Sequence, residues 1–283
     1  MEQQPSRTAL GTAYLRAAHQ LLDGKPLVLE DDVVLRLLGA QARTRILSDV
    51  DRYQTPAARA LRSHVVLRSR FAEDRLASAV GRGVTQYVIL GAGFDTFVLR
   101  QPSWAASLRL FELDHPATQG EKRSRLLEAG LVLPENCSLV AIDFEEESLL
   151  DCCKRSGVSF LQPTLFAWLG VSMYLEQADV ESALRSMAMF ASGSEVVLTF
   201  LQPPAIGSTP GSSAASVLAE RVARLGEPFR CYFEPHALAD ACRASGFSMV
   251  EFLVPEEARD RYFRGRPPDL PAPGRTGIAC ALV

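Results

Sequence analysis

The apolar positions of this chain change rhythm near residue 83. Before that point they recur at helical spacing: Ala9, Ala13, Leu15, Ala17, Ala18, Leu21 and Leu22 line one stretch, which Gly24-Lys25-Pro26 stops. Asp31-Asp32 opens a short helix through Leu38, ended by Gly39, and residues Thr55 to Val80, with Pro56 in the first turn, read as a longer one. After Gly83 short β-prone runs alternate with helical stretches. The predicted strands are Tyr87–Leu90, Leu108–Leu113, Ser138–Ile142, Thr164–Trp168 and Glu195–Phe200. The helices between them are predicted near Thr96–Arg100, Ala117–Glu128, Glu146–Cys153 and Gln177–Phe190. Such alternation implies right-handed crossovers and a mainly parallel sheet.

Residues Gln202 to Ser213, rich in Pro, Gly and Ser, read as a loop, followed by helices Ala214–Leu225 and Pro235–Ala244. Ser248–Val254 and Gly277–Val283 are two late strands separated by the Pro- and Gly-rich stretch Arg264 to Arg275. Without a helical crossover they predict an antiparallel pair at one sheet edge.

The first strand leads into the segment with the most chemistry, Gly91-Ala92-Gly93-Phe94-Asp95-Thr96. Glycines at such a turn let a ligand approach the backbone, and Phe94 to Arg100 reads as the start of a helix behind it. A strand, turn and helix at the carboxyl end of a parallel sheet is where open α/β folds bind nucleotide-like ligands. Thr96 stands where a dinucleotide fingerprint has its third glycine. That counts against NAD and FAD and points to a ligand without a pyrophosphate, such as S-adenosylmethionine.

Acidic residues follow at the next two strand ends. Asp114 lies 21 positions beyond Gly93, near the offset of about 20 expected for a carboxylate that accepts ribose hydroxyls. Glu112 shares its face by strand alternation, so either could make that contact; the plain alternative is a solvated Glu112 and an Asp114 that caps the next helix. Asp143-Phe144 at the third strand end could serve an adenine amino group and ring face, or Asp143 could be another cap. Arg68 and Arg70 precede the loop. They could fork onto a free α-carboxylate, or form a solvated helix face with Arg70 paired to Glu73 or Asp74. Trp168 to Gly170 reaches the carboxyl end of the fourth strand, and Trp168 fits either core or pocket.

Composition narrows the classes. In 283 residues, 47% apolar and 22% charged describe an ordinary globule, and a net charge of −3 leaves no global basic field for nucleic acid or an anionic membrane. All but three of the 30 basic residues are arginine, the lysines being Lys25, Lys122 and Lys154. The six cysteines (Cys137, Cys152, Cys153, Cys231, Cys242, Cys280) form no C-x-x-C pair, which predicts reduced thiols in a cytoplasmic protein. The four histidines (His19, His64, His115, His236) show no i, i+4 pair, so no metal is expected, and neither a G-x-S-x-G elbow nor a P-loop lysine pattern is present. No signal pattern and no apolar run of about 20 residues marks a secreted or membrane-spanning chain.

Taken together, the motifs resemble the leucine carboxyl methyltransferase-related family of S-adenosylmethionine-dependent methyltransferases, especially its bacterial O-methyltransferase-like members. The resemblance runs from Leu15-Arg16-Ala-Ala-His19 through Val34–Gly39, Arg68-x-Arg70, Val88–Thr96 and Phe111–Gln119 with Lys122. It continues through Ile142–Phe144, Trp168–Leu175, Gly226–Pro235, Gly246-Phe247 and Arg261–Arg266. It implies an α/β Rossmann-like methyltransferase fold: a mostly parallel seven-stranded sheet with an antiparallel edge strand, an N-terminal helical cover and a helical lid insertion. On that pattern 1–82 is the cover, 83–201 the cofactor-binding core, 202–235 the lid and 236–283 the rest of the sheet, all one domain.

Carried over residue by residue, the resemblance implies that Arg68 holds the methionine carboxylate of S-adenosyl-L-methionine. Gly91, Ala92, Gly93 and Asp95 pass under the methionine and ribose, Asp114 or Glu112 binds the ribose, and Asp143 and Phe144 bind the adenine. Leu169, beside Gly170, replaces a glutamate frequent in the family and removes one contact to the ligand's ammonium. The expected reaction is O-methylation of a carboxylate or hydroxyl by in-line displacement, on a small molecule or a protein carboxyl terminus. A hydroxyl would need a base, for which His236, His115 and Tyr174 are the candidates. Tyr174, Tyr232, Phe233 and His236 are expected to line the acceptor pocket under a lid at Pro203 to Pro235. The other readings are a silent S-adenosylmethionine-binding module and, less favoured because of Thr96, an NAD(P)-dependent oxidoreductase.

Overall fold

The computed structural model describes residues 4–144, 146–203 and 214–283, and side chains in the last segment from residue 218 on. The N-terminal helices are α1 (Arg7–Leu22), α2 (Val33–Leu37), α3 (Ala42–Ser48), α4 (Val50–Gln54) and the long α5 (Pro56–Gly81). They are followed by β1 (Gln86–Leu90), β2 (Arg109–Asp114), α6 (Pro116–Glu128), β3 (Cys137–Ala141), α7 (Leu149–Ser156) and β4 (Thr164–Trp168). The chain ends with α8 (Gln177–Ala188), β5 (Glu195–Thr199), α9 (Ala214–Arg224), α10 (Pro235–Ser245), β6 (Met249–Phe252), α11 (Pro255–Ala258) and β7 (Ile278–Leu282). The strand order is β3-β2-β1-β4-β5-β7-β6. β1 to β5 pair in parallel, and β7 runs antiparallel to both β5 and β6, the predicted late pair.

Strand alternation divides the apolar residues between two faces. Val88, Leu90, Phe166 and Trp168 pack with α7, α8 and α10, while Tyr87, Ile89, Leu165 and Ala167 pack with α5 and the segment around Tyr262. Every residue of β1, β4 and β5 is buried, as strands covered on both faces must be. A third cluster joins α1, α2 and α3 to Phe94 and Leu126 and so seats the N-terminal helices over the glycine turn. Among the described residues no helix is long and apolar enough to cross a membrane.

The prediction fails after β1. Instead of a helix at Thr96–Arg100 there is one 3-10 turn, Phe97–Leu99, and a second at Ser103–Ala105. The reason is local: Asp95 Oδ1 accepts from the Phe97 amide at 2.7 Å, a turn that competes with helix formation, and Pro102 follows closely. The helix expected from Glu146 begins at Leu149 with Ser148 as its cap. α3, α4 and α11, of seven residues or fewer, are too short to print a period. Of the lid expected at 202–235, residues 204–213 lie outside those described.

Candidate functional site

The carboxyl ends of β1, β2, β3 and β4 converge on one cleft. The residues around it keep partial exposure deep in the molecule: Gly91, Asp95, Asp114, His115, Asp143, Phe144, Leu169, Gly170 and Tyr174 are all half-buried. The cleft is roofed by α1. A Cβ on Gly93 would sit 3.0 Å from that of Ala9, and one on Gly91 would overlap the Val171 side chain. Both glycines have positive φ, +63° for Gly91 and +51° for Gly93, which only glycine adopts without strain.

The turn's own amides are committed. Gly91 and Ala92 N–H both donate to the Leu113 carbonyl, at 2.8 and 3.2 Å, and Gly93 N–H donates to Asp114 Oδ2. This corrects the expectation that these amides face a ligand. With no α-helix behind the loop and its first three amides used internally, a pyrophosphate would find neither the donors nor the dipole it needs. What the glycines supply is close approach.

Asp114 therefore has two jobs. Its carboxylate fixes the loop through Gly93, accepts from His115 N–H at 2.7 Å, and remains half-buried at the cleft; burial raises its pKa. Glu112, two residues back along the strand, is 1% exposed and lies under α6, where it pairs with the equally buried Lys122. Lys122 Nζ also donates to the Asp95 carbonyl at 2.7 Å, so the pair braces the loop from beneath. Burial pushes the Glu112 carboxyl up to about 7. Lys122 carried no assigned role in the sequence, because a lysine on a helix reads as solvated.

His115 caps α6: its Nδ1 accepts from Ala117 N–H at 3.2 Å, and its Nε2 lies 3.6 Å from Asp143 Oδ2. Nδ1 is therefore the lone-pair nitrogen and Nε2 carries the proton toward Asp143. The contact brings the second and third strand ends together. Asp143 also accepts, through its carbonyl, from Glu147 N–H at 2.8 Å, and Phe144 packs beside it.

Arg68 is the cation of the site. Its guanidinium lies against Gly170, where a Cβ would stand 2.5 Å from Nη1, so glycine is what admits it. Gly170 N–H in turn donates to Thr199 Oγ1 at 2.6 Å. Among the described residues Arg68 forms no hydrogen bond or ion pair, whereas Arg70 turns outward to Asp74 at 2.9 Å. Burial lowers the Arg68 pKa to about 10. A guanidinium without a partner in a cleft is a receptor for a planar anion. Leu169 packs on the apolar cluster beneath α5 and offers no charge.

Tyr174 joins this group. Burial raises its phenol pKa, and its hydroxyl bonds Thr8 at the start of α1. The ring of Phe229 packs against it, tilted by 42°, with centroids 5.4 Å apart. The start of α1 is held by Glu227, which accepts from Arg7 N–H at 2.9 Å, from Ser6 Oγ at 3.1 Å and from Thr8 Oγ1. The other acceptor-pocket candidates fall apart. Burial alternates along Cys231 to Glu234: Cys231 and Phe233 are buried in the core and Tyr232 is exposed to solvent, as is His236 in the first turn of α10. Trp168 is core, fully buried on the face of α8.

The family model for leucine carboxyl methyltransferase matches residues 9–188 of this chain. YktD of Bacillus subtilis (strain 168), assigned as an S-adenosyl-L-methionine-dependent methyltransferase, is 28% identical over 290 aligned positions that cover 95% of each protein. Among solved structures, a protein from Thermobifida fusca YX assigned as a methyltransferase superposes with a TM-score of 0.59 at 17% identity, covering 99% of this chain and 95% of its own. A DUF574-family protein from Streptomyces avermitilis MA-4680 gives 0.56 at 16%, covering 96% and 95%. These two likenesses show a shared fold.

Proposed function

The chain belongs to the leucine carboxyl methyltransferase family of S-adenosylmethionine-dependent methyltransferases, and on that premise we propose that it methylates an oxygen of a small-molecule acceptor. The side chains fit the methyl donor. Arg68 receives its carboxylate, Gly91 to Gly93 pass beneath it, Asp114 accepts from the ribose hydroxyls, and Asp143 with Phe144 holds the adenine. Asp95 borders the methionine end. Glu112 acts one layer down, through Lys122 and the Asp95 carbonyl. The ammonium that a glutamate at position 169 would meet falls to backbone carbonyls near Gly91 and Gly170.

The observation that carries this reading is the guanidinium of Arg68 against Gly170, which has no hydrogen bond or ion pair among the described residues. A charge held partly out of water with no bonded partner is costly and persists where a ligand completes it. When bound, the donor supplies an electrophilic methyl on a sulfonium, so the protein's task is alignment and exclusion of water. On this reading residues 1–82 cover the cofactor core 83–201 and 236–283 completes the sheet. Isothermal titration with S-adenosylhomocysteine and with NAD tests the cofactor assignment. Binding of the former alone is expected; selective binding of NAD would overturn it. Methyl-labelled donor offered to hydroxyl and carboxyl compounds then tests O-methylation.

A further inference from the structure

Residues 62–69 of α5 form a buried run with two interruptions. Arg62, Ser63, Val65, Val66, Leu67 and Ser69 are buried; His64 and Arg68, one helical turn apart, are half-buried. Both sit on the stripe that faces the cleft. Arg68 reaches Gly170 at the end of β4, and His64 bonds the backbone of Thr276, just before β7. Gly277 packs against the Phe200 carbonyl beyond β5. The stripe thus runs from the cofactor half of the cleft, over β1 and β4, to the ends of β5 and β7, where an acceptor would enter.

The bond to Thr276 favours a protonated ring nitrogen, so an N–H donates to the carbonyl and the other nitrogen keeps its lone pair. Of the other histidines, His19 is bound on both nitrogens to Asp23 and to Val28 N–H, His115 uses its lone pair as a helix cap, and His236 is exposed. Among the described residues His64 is thus the one histidine that is neither bonded on both nitrogens, spent on a cap nor exposed. Among the described residues the charge acting on it is Arg68, and it meets no carboxylate.

We propose that His64 is the proton acceptor for a hydroxyl-bearing methyl acceptor, and that a carboxylate seated on Arg68 is what brings it into use. This rests on the cofactor reading above. Without that carboxylate, burial and the neighbouring guanidinium push the imidazole down to about 3, too weak a base for a hydroxyl. Pairing Arg68 removes the repulsive part of that burden, the smaller of the two, and leaves the part due to burial. In the step itself, the acceptor hydroxyl gives its proton to His64 while its oxygen bonds the methyl carbon, and the carbon–sulfur bond breaks with its electron pair going to sulfur. The products are a methyl ether, a neutral thioether and an imidazolium. The donor must then be loaded before the base exists.

Two-bond proton–nitrogen NMR of the four imidazoles, with His64 identified by its loss in His64→Gln, reads the titration directly. With saturating S-adenosylhomocysteine His64 is expected to titrate at least one pH unit higher than in the free protein, a tenfold gain in protonated fraction at a given pH. In free Arg68→Met the same rise is expected without ligand. Identical His64 curves with and without bound ligand would overturn the proposal. If calorimetry finds no binding, the cofactor reading falls separately, and Arg68→Met still decides whether Arg68 governs His64; should that variant misfold, His64 failing to stay neutral to below pH 5 in the free wild type counts against it. Methyl transfer to phenols and alcohols should fall at least 100-fold in His64→Gln at unchanged S-adenosylhomocysteine affinity. Labelling of carboxylic acids alone, or an unchanged rate, would sink the base role, and if no compound in the panel is methylated the titration decides.

Discussion

Two arginines six residues apart on α5 live in opposite circumstances. Arg62 is fully buried and completely satisfied: Nε and Nη2 fork onto Asp23 at 2.7 Å each, and Nη1 donates to the Tyr53 carbonyl at 2.7 Å. His19 donates to the same carboxylate at 2.7 Å. Although burial alone would raise the Asp23 pKa, the bonds from His19 and Arg62 hold it low. Among the described residues Arg68 has no such bond, and the Asp95 carboxylate acts on it only from a distance. One helix thus carries a cation that closes the structure and a cation left open to a ligand. The difference between fastening and function here is a carboxylate of the chain within bonding distance.

A similar closed network surrounds the cleft. Arg16 Nε meets Asp31 at 3.0 Å and its Nη2 donates to the Phe94 carbonyl; Arg100 pairs with Glu73 through Nη1 at 3.0 Å and sits 3.6 Å from Asp31. These pairs tie α1, α5 and the glycine turn into one body.

The comparison breaks most visibly if Asp23 is removed. Asp23→Ala leaves Arg62 and His19 buried without their anion, and should cost about 3–5 kcal/mol, read by urea unfolding. Arg68→Met should do the reverse: equal or higher Tm, with S-adenosylhomocysteine affinity down about 100-fold, roughly 2.7 kcal/mol by calorimetry. Next in size, Gly91→Ala forces a Cβ into Val171 at φ +63° and should lose about 1–3 kcal/mol of stability together with ligand binding. A smaller effect is pH-dependent. The His64 ring ionises near 3 when folded but near 6.5 when unfolded, so below pH 6.5 the unfolded chain binds the extra proton. Stability should therefore fall with acidity between pH 6.5 and 3, by at most about 1.4 kcal/mol per pH unit, and His64→Gln should flatten that slope. His236→Ala, at an exposed position, should stay within about 0.5 kcal/mol and leave binding unchanged.

The strands were legible because each is a short, wholly or alternately apolar run bounded by glycine, proline or a charged cap. The Gly91–Thr96 turn was legible for the same reason and pointed to the right class of ligand. Its immediate environment was not. Nothing in Phe94 to Arg100 announces that Asp95 will cap its own turn, nor that Glu112 and Lys122, ten positions apart, will meet beneath the loop. His64 did not stand out because Thr276 reaches it only in three dimensions, although Arg68 stands one turn away on the same predicted helix. Tyr232 and His236 went the other way: burial alternates along Cys231 to Glu234, which turns Phe233 inward and Tyr232 out, and His236 lies exposed in the first turn of α10.

The Glu227 cap on α1 has a consequence for how the molecule is made. Arg7 N–H and its acceptor are 220 positions apart. At about 5–20 residues per second, ribosomal synthesis places the first helix in solution many seconds before the carboxylate that completes it. Of the two partners, the one that emerges earlier thus waits for the later to be finished. Contacts of such span also slow the final assembly. Until that closing contact forms, the nascent cleft stands without its roof.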